Sequence, residues 1–244
     1  MRLAKIDSLR GLNLISMICY HAMWDIVFLF YGGFPWYSGW PGFYWQQSIC
    51  WIFILLSGFS WSLGHRHFKR GLTVFLCGAL ITLVTALFMP AEVVWFGILT
   101  FMGSAMLLMI PLDRLIRPKN RIRAVILGII SFLLFLALRN INNGRILGFT
   151  LPSALYADHA TAYLGFPPGG FFSTDYFPLL PWFFLYICGY ALHFLLPLDD
   201  SDHPVTQFLT KSCCPPLEFI GRHTLIIYML HQPVIFGILS LINA

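Results

Sequence analysis

The sequence predicts an all-α membrane protein, a polytopic helical bundle of about seven transmembrane helices, with its amino terminus inside the cell and its carboxyl terminus outside. Of the 244 residues, 58% are hydrophobic and only 10% are charged, and the mean hydropathy is +0.76. Long charge-free intervals recur along the chain, and the basic residues fall almost entirely on alternate connections. This composition excludes an ordinary soluble enzyme, a disordered tail and a nucleic-acid-binding module.

The intervals between charged residues define the predicted spans, because a spanning helix needs about 20 predominantly apolar residues. The first two spans are separated by Tyr31–Trp45, where Gly and Pro are expected to break a helix and the aromatic rings suit a headgroup interface. The fifth span is short, but the long side chains of Arg123 and Arg139 extend its reach. The predicted spans are Ser8–Phe30, Gln46–Leu63, Gly71–Ala91, Val93–Leu112, Ala124–Leu138, Tyr176–Leu198 and His223–Ala244.

The distribution of basic residues sets the predicted orientation. Thirteen of the fifteen Lys and Arg fall on the side of the amino terminus, and the other side receives only Arg139 and Arg145. We therefore expect one integral-membrane domain over residues 1–244, in a bacterial cytoplasmic membrane. The first apolar run lacks a small-residue cleavage site and is expected to stay as a helix rather than to be a signal peptide.

Two connections are long enough to need an interpretation of their own. The outer loop Asn140–Asp175 contains a mildly apolar stretch, Ser153–Phe166, which is too short to span and is expected to lie on or dip into the outer face. The inner loop Pro197–Gly221 is predicted to be a solvated connector. No cysteine spacing resembles a disulfide framework or a metal site.

Ionisable residues within spans are candidates for function, because burying them in hydrocarbon costs a few kcal/mol. His21 and Asp25 are four residues apart and share a helix face, where the carboxylate can bond one ring nitrogen. Arg10 lies on the same face, since eleven helical residues turn about 20° past three full turns. His231 in the seventh span is expected about 13 Å deep, which matches His21. The pattern fits catalysis, proton or ion conduction, or a structural clamp, and His231 could instead support a kink with Gln232 and Pro233.

Several short motifs carry a family resemblance. The segment Lys5–His21 has an Arg-x10-His spacing with Arg10-Gly11 near the start of the helix. The further motifs are HAMWD at His21–Asp25, FILLSGFSWSL at Phe53–Leu63, DYFPLLPW at Asp175–Trp182 and GRHTLIIYMLHQP at Gly221–Pro233. Together these motifs resemble the transmembrane acyltransferase superfamily, most closely small bacterial relatives of the heparan-α-glucosaminide N-acetyltransferase catalytic domain, and they also resemble the acyltransferase-3 family.

The resemblance implies acyl transfer across the membrane, from cytosolic acetyl-CoA or another acyl-CoA to an extracytoplasmic hydroxyl or amine, expected to belong to a sugar or glycan. It implies that His21 is the general base or acyl carrier, that Asp25 orients it, and that His231 contributes less. No metal or nucleic acid is expected. A proton-coupled transporter or channel would also use a His-Asp pair, and a non-catalytic scaffold is the third possibility. The residues expected to bind the donor are Arg10, Arg66, Arg70 and Arg222.

Overall fold

The computed structural model describes residues 2–30 and 32–242. Helices account for almost all of its regular structure, as the sequence predicts. A five-residue π-helical segment, Asp25–Leu29, continues the first helix. The helices are α1 (Ala4–Trp24), α2 (Trp40–Trp61), α3 (His67–Phe88), α4 (Ile98–Ile116), α5 (Arg121–Ala137), α6 (His159–Ala162), α7 (Leu179–His193), α8 (Pro204–Thr210), α9 (Pro215–Arg222) and α10 (Thr224–Ile242).

Among the described residues, five helical segments are long and apolar enough to cross a membrane. They confirm an all-helical membrane protein and correspond to the first, third, fourth, fifth and seventh predicted spans. The second predicted span is the 22-residue helix α2, which is outside these five, and the sixth is the apolar helix α7 with 15 residues. The five segments are Ala4–Leu29, His67–Phe88, Ile98–Ile116, Arg121–Asn143 and Thr224–Ile242. The predicted end of the last span, at residues 243–244, lies outside the described residues.

The chain divides into two compact units. Unit 1 comprises Met1–Leu56 and Pro197–Ala244, and unit 2 comprises Ser57–Leu196. In unit 1, the buried Asn13 of α1 donates through Nδ2 to the Ile49 carbonyl of α2 at 3.0 Å. This interhelical hydrogen bond satisfies an amide that would be costly to leave unpaired in an apolar interior.

In unit 2, α3 and α4 pack with their backbones close together. A Cβ atom added at Gly78 would lie 2.9 Å from the Thr100 Cα, and one added at Gly103 would lie 2.6 Å from the Phe75 Cα. Only glycine permits this approach, because any side chain at either position would overlap the facing helix.

The aromatic connection after the first span differs from the expectation. Helix α2 begins at Trp40, inside the predicted loop Tyr31–Trp45, because a proline in the first helical turn removes no intrahelical hydrogen bond. The Tyr37 hydroxyl donates to the Tyr20 carbonyl at 2.9 Å, and Trp45 Nε1 donates to Ser16 Oγ at 2.8 Å. Part of this segment therefore packs on α1. Tyr31 itself lies outside the described residues.

The other two connections are also more structured than the sequence suggests. The predicted solvated connector Pro197–Gly221 contains α8 and most of α9, and it buries Thr206 and Glu218. The outer loop contains a small antiparallel hairpin of β1 (Arg145–Ile146) and β2 (Phe149–Thr150), together with the short helix α6. These elements depend on tertiary packing and hydrogen bonding rather than on apolar periodicity.

Candidate active site

The carboxyl-terminal end of the first membrane helix carries the predicted His-Asp pair. His21 lies in the last turn of α1, and Asp25 opens the π-helical segment. Asp25 is completely buried, and its Oδ1 accepts a 2.6 Å hydrogen bond from Gln232 Nε2 of α10. The carboxylate is thus held by an amide of another helix rather than by His21. Short π-helical insertions are frequent at functional sites, where they redirect side chains out of the regular helical register.

Helix α10 presents His231 with a defined tautomer. The ring is buried, and its Nδ1 is hydrogen-bonded to the Tyr228 backbone carbonyl. A carbonyl oxygen only accepts, so Nδ1 is assigned as the donor. In the neutral ring Nε2 then carries the lone pair, and this atom has no hydrogen-bond partner among the described residues.

The two imidazoles lie side by side. The His21 and His231 ring centroids are 4.9 Å apart with an interplanar angle of 69°, an edge-to-face arrangement. The two rings are therefore close in space, and their matched depth in the membrane stays a prediction. No hydrogen bond to the His21 ring occurs within residues 2–30 and 32–242, so the expected His21–Asp25 hydrogen bond is not formed. The roles of these residues stay predictions.

We define the polar cluster as His21, Asp25, His231 and Gln232. Three of its buried atoms have no hydrogen-bond partner in the part of the chain that the structure describes. They are Asp25 Oδ2, His231 Nε2 and Gln232 Oε1. Buried polar groups in folded proteins nearly always have a hydrogen-bond partner. Three unpartnered atoms in one cluster therefore indicate a place where a ligand or water binds. Sequence reasoning treated Gln232 as a possible support for a helix kink and missed its hydrogen bond to Asp25. Its position next to His231 is the only sequence signal for that role.

Two of the predicted donor-binding arginines flank one helix crossing. Helices α1 and α9 meet at Gly11 and Gly221, where a Cβ added to Gly11 would lie 3.1 Å from the Gly221 nitrogen. Arg10 precedes the first of these glycines and Arg222 follows the second. Arg10 Nη1 bonds Asp7 Oδ1 at 2.9 Å, and the exposed Arg222 donates through Nε to the Glu218 carbonyl at 3.2 Å. The crossing thus places two guanidinium-bearing residues at one end of unit 1.

The buried carboxylate of Glu218 stabilises this crossing. It accepts hydrogen bonds from Ser212 Oγ at 2.5 Å, from the Cys213 backbone N–H at 3.2 Å and from Arg2 Nη2 at 2.8 Å. The Ser212 hydroxyl, followed by the Cys213 N–H and the Arg2 charge, holds the pKa of Glu218 below its ordinary value. The sequence offered one signal for α9, the Pro215-Pro216 pair that suits the first turn of a helix.

The other two predicted donor-binding residues, Arg66 and Arg70, belong to unit 2. Arg66 is the residue that precedes α3, with a left-handed φ of 58°, and Arg70 lies in the first turn of that helix. Both are exposed. Among the described residues, no group of three or more His, Cys, Asp or Glu is arranged to hold a metal ion.

Comparison with known families identifies the chain. The family profile described as heparan-alpha-glucosaminide N-acetyltransferase, catalytic, matches residues 2–233. The chain belongs to this family. No curated protein and no solved structure matches the chain.

Membership in the heparan-alpha-glucosaminide N-acetyltransferase catalytic family confirms the resemblance carried by the sequence motifs. It indicates a membrane acetyltransferase, for which acetyl-CoA is the implied donor, and it does not favour a transporter or channel. The matched region extends from Arg2 to Pro233, so it includes the whole polar cluster and the four arginines.

Proposed function

We propose that this protein transfers an acetyl or other short acyl group from cytosolic acyl-CoA to a hydroxyl or amine of an extracytoplasmic acceptor, a sugar or glycan, in the bacterial cytoplasmic membrane. The observation that carries the proposal is the pair of adjacent imidazoles, His21 and His231, beside a buried carboxylate within helices of an acetyltransferase family. Such groups are costly in an apolar interior and are retained where chemistry requires them.

The proposed chemistry is a proton transfer coupled to acyl transfer. His21 accepts the proton of the attacking hydroxyl or amine as that atom bonds to the thioester carbonyl carbon. The carbon–sulfur bond then breaks, and CoA leaves with its sulfur taking up a proton. In the alternative route His21 first carries the acyl group and passes it to the acceptor. Trapping an acyl-enzyme in the absence of acceptor distinguishes the two routes.

Asp25 and His231 are proposed to support His21. Asp25 lies about one helical turn from His21, and catalytic hydrogen bonds often form only when substrate binds, so we propose that the carboxylate orients the imidazole in the substrate complex. His231 contacts the His21 ring and offers an unpaired Nε2 to the same space. The structure therefore favours a larger role for His231 than its sequence position alone indicates.

The acyl-CoA donor is proposed to bind at the cytoplasmic pole through Arg10 and Arg222, with Arg66 and Arg70 as further phosphate ligands. Guanidinium groups suit this task because their planar set of donors matches phosphate oxygens. The proposed topology is one domain with seven spans, in which α2 and α7 are added to the five candidate membrane-spanning segments. It places the amino terminus and these arginines inside.

The test compares His21→Ala with His159→Ala, which removes an exposed histidine of the outer loop. Loss of a general base commonly lowers the rate about a hundred- to ten-thousandfold, so acyl transfer by His21→Ala should be almost abolished. Acetyl-CoA should still raise the melting temperature of the wild type and of both variants, since it stabilises any folded state that binds it. Near wild-type transfer by His21→Ala would refute the mechanism, and the absence of any stabilisation by acetyl-CoA would refute the donor.

A further inference from the structure

Gln232 occupies an unusual position in the polar cluster. A glutamine amide has two N–H donors and one carbonyl acceptor. Its Nε2 donates to Asp25 Oδ1 at 2.6 Å, and this bond fixes the orientation of the amide. The carbonyl oxygen Oε1 of the same amide is buried and has no partner among the described residues.

The unpartnered atoms of the cluster share one hydrogen-bonding character. Gln232 Oε1 is an acceptor, Asp25 Oδ2 is a carboxylate oxygen, and His231 Nε2 is an acceptor because Nδ1 donates to the Tyr228 carbonyl. A phosphate or carboxylate offers only acceptors and would meet repulsion there. The complementary ligand is a group with N–H or O–H donors.

We propose that Gln232 is a substrate-binding residue, whose Oε1 accepts a hydrogen bond from the nucleophilic N–H or O–H group of the acyl acceptor while its Nε2 holds Asp25. This inference rests on the proposed function and deepens it, because it assigns the polar cluster to the nucleophile of the acceptor rather than to the CoA phosphates. One amide thus connects the reacting group of the substrate to the carboxylate of the π-helical segment.

The position of Gln232 explains how one residue can bind the nucleophile and hold Asp25. It follows His231 directly on α10, and His231 contacts the His21 ring with centroids 4.9 Å apart. Gln232 also bonds Asp25, which follows His21 by one helical turn, so a nucleophile bound to Gln232 Oε1 would lie on the side of the first helix that carries His21, where its proton can be removed. Holding a nucleophile close to its base lowers the entropic cost of the reaction.

The experiment replaces Gln232 by Met, which keeps the length of the side chain and removes its hydrogen bonds. Gln47→Met, which changes another partly buried glutamine of unit 1, is the matched control. Steady-state kinetics would use acetyl-CoA with D-glucosamine or D-glucose as acceptor, so that the two arms distinguish an amine from a hydroxyl nucleophile. For Gln232→Met, kcat/KM for the acceptor should fall roughly ten- to a hundredfold, mainly through KM.

The stabilisation by acetyl-CoA should be unchanged in Gln232→Met, because the proposed donor residues lie elsewhere. If this variant does not fold, Gln232→Asn keeps a shorter amide and should show a smaller rise in acceptor KM. An active wild-type protein whose acceptor kinetics are unaffected by either substitution would overturn the assignment and leave water as the partner of these atoms. A wild-type protein that acylates neither acceptor would count against the proposed function itself.

Discussion

Gly11→Ala tests the helix crossing that brings Arg10 and Arg222 together. A Cβ atom at this position would overlap the Leu217 carbonyl oxygen and would lie 2.9 Å from the Leu217 carbonyl carbon. Since carbon atoms in contact are normally about 3.5–4.0 Å apart, α1 and α9 must separate by roughly 1 Å. A gap of that size removes about a quarter to a half of the van der Waals attraction of each atom pair that it separates.

The expected cost of Gly11→Ala follows from these distances. Overpacking of this kind typically costs about 1–3 kcal/mol, offset by up to about 1 kcal/mol because alanine favours a helix. In a protein of this size each kcal/mol shifts the melting temperature by about 2–4 °C. We expect a fall of several degrees. The stabilisation by acetyl-CoA should also decrease, because the substitution displaces the backbone next to Arg10.

Gly237→Ala is the matched control, since a Cβ added there meets no atom within 4 Å. This substitution should raise the melting temperature slightly, by the helix propensity alone. Gly221→Ala should behave like Gly11→Ala, and the double variant should lose less than the sum of both, because the two methyl groups open the same crossing. An unchanged melting temperature in Gly11→Ala, measured beside a stabilised Gly237→Ala, would refute the close packing of α1 on α9.

Three further outcomes are expected. A carboxyl-terminal reporter that is active only outside the cytoplasm should be active, and activity of a cytoplasmic reporter at that position would contradict the seven-span topology. Arg10→Ala should weaken the acetyl-CoA-induced rise in melting temperature, more at low than at high salt, whereas an equal rise would place the donor elsewhere. Burial raises the pKa of Asp175 from 3.8 to about 6, although its Oδ2 accepts from the Ile98 N–H. The folded protein therefore binds this proton more tightly than the unfolded chain, so stability should fall as the pH rises from about 4 to about 6. Asp175→Asn should make that slope shallower, and an unaltered dependence of the melting temperature on pH would contradict the raised pKa of Asp175.

The parts of the site that the sequence predicted depend on local helical geometry. The face shared by Arg10 and His21 follows from the fixed rise and rotation of a continuous helix, and α1 is regular from Ala4 to Trp24. The depth of His231 could be counted from Arg222 in the same way. Both inferences use the expectation that the bilayer sets where each helix begins, so that distance along the sequence gives depth.

The parts that the sequence did not predict depend on contacts between distant segments. The partner of Asp25 changes from His21 to Gln232 because a π-helical segment begins at Asp25, and no residue pattern in the first span announces it. Helix α9 is short and polar on one face, so hydropathy classed it as a connector. It is held by the buried Glu218 and by the approach of Gly11 to Gly221.

The hydrogen bonding of His21 and His231 differs, and we therefore expect different roles for these two residues of the polar cluster. A histidine whose Nδ1 is bound to a backbone carbonyl has a fixed tautomer, whereas the ring of His21 has no such bond among the described residues. A fixed tautomer suits a group that accepts a proton repeatedly at one atom, and an unconstrained ring suits a group that must turn between acceptor and thioester. We therefore propose that His21 acts at the reacting carbonyl while His231 Nε2 receives the proton that His21 releases. On this reasoning His231→Ala should slow turnover while leaving the acyl-donor affinity unchanged, and a rate equal to that of the wild type would confine His231 to packing.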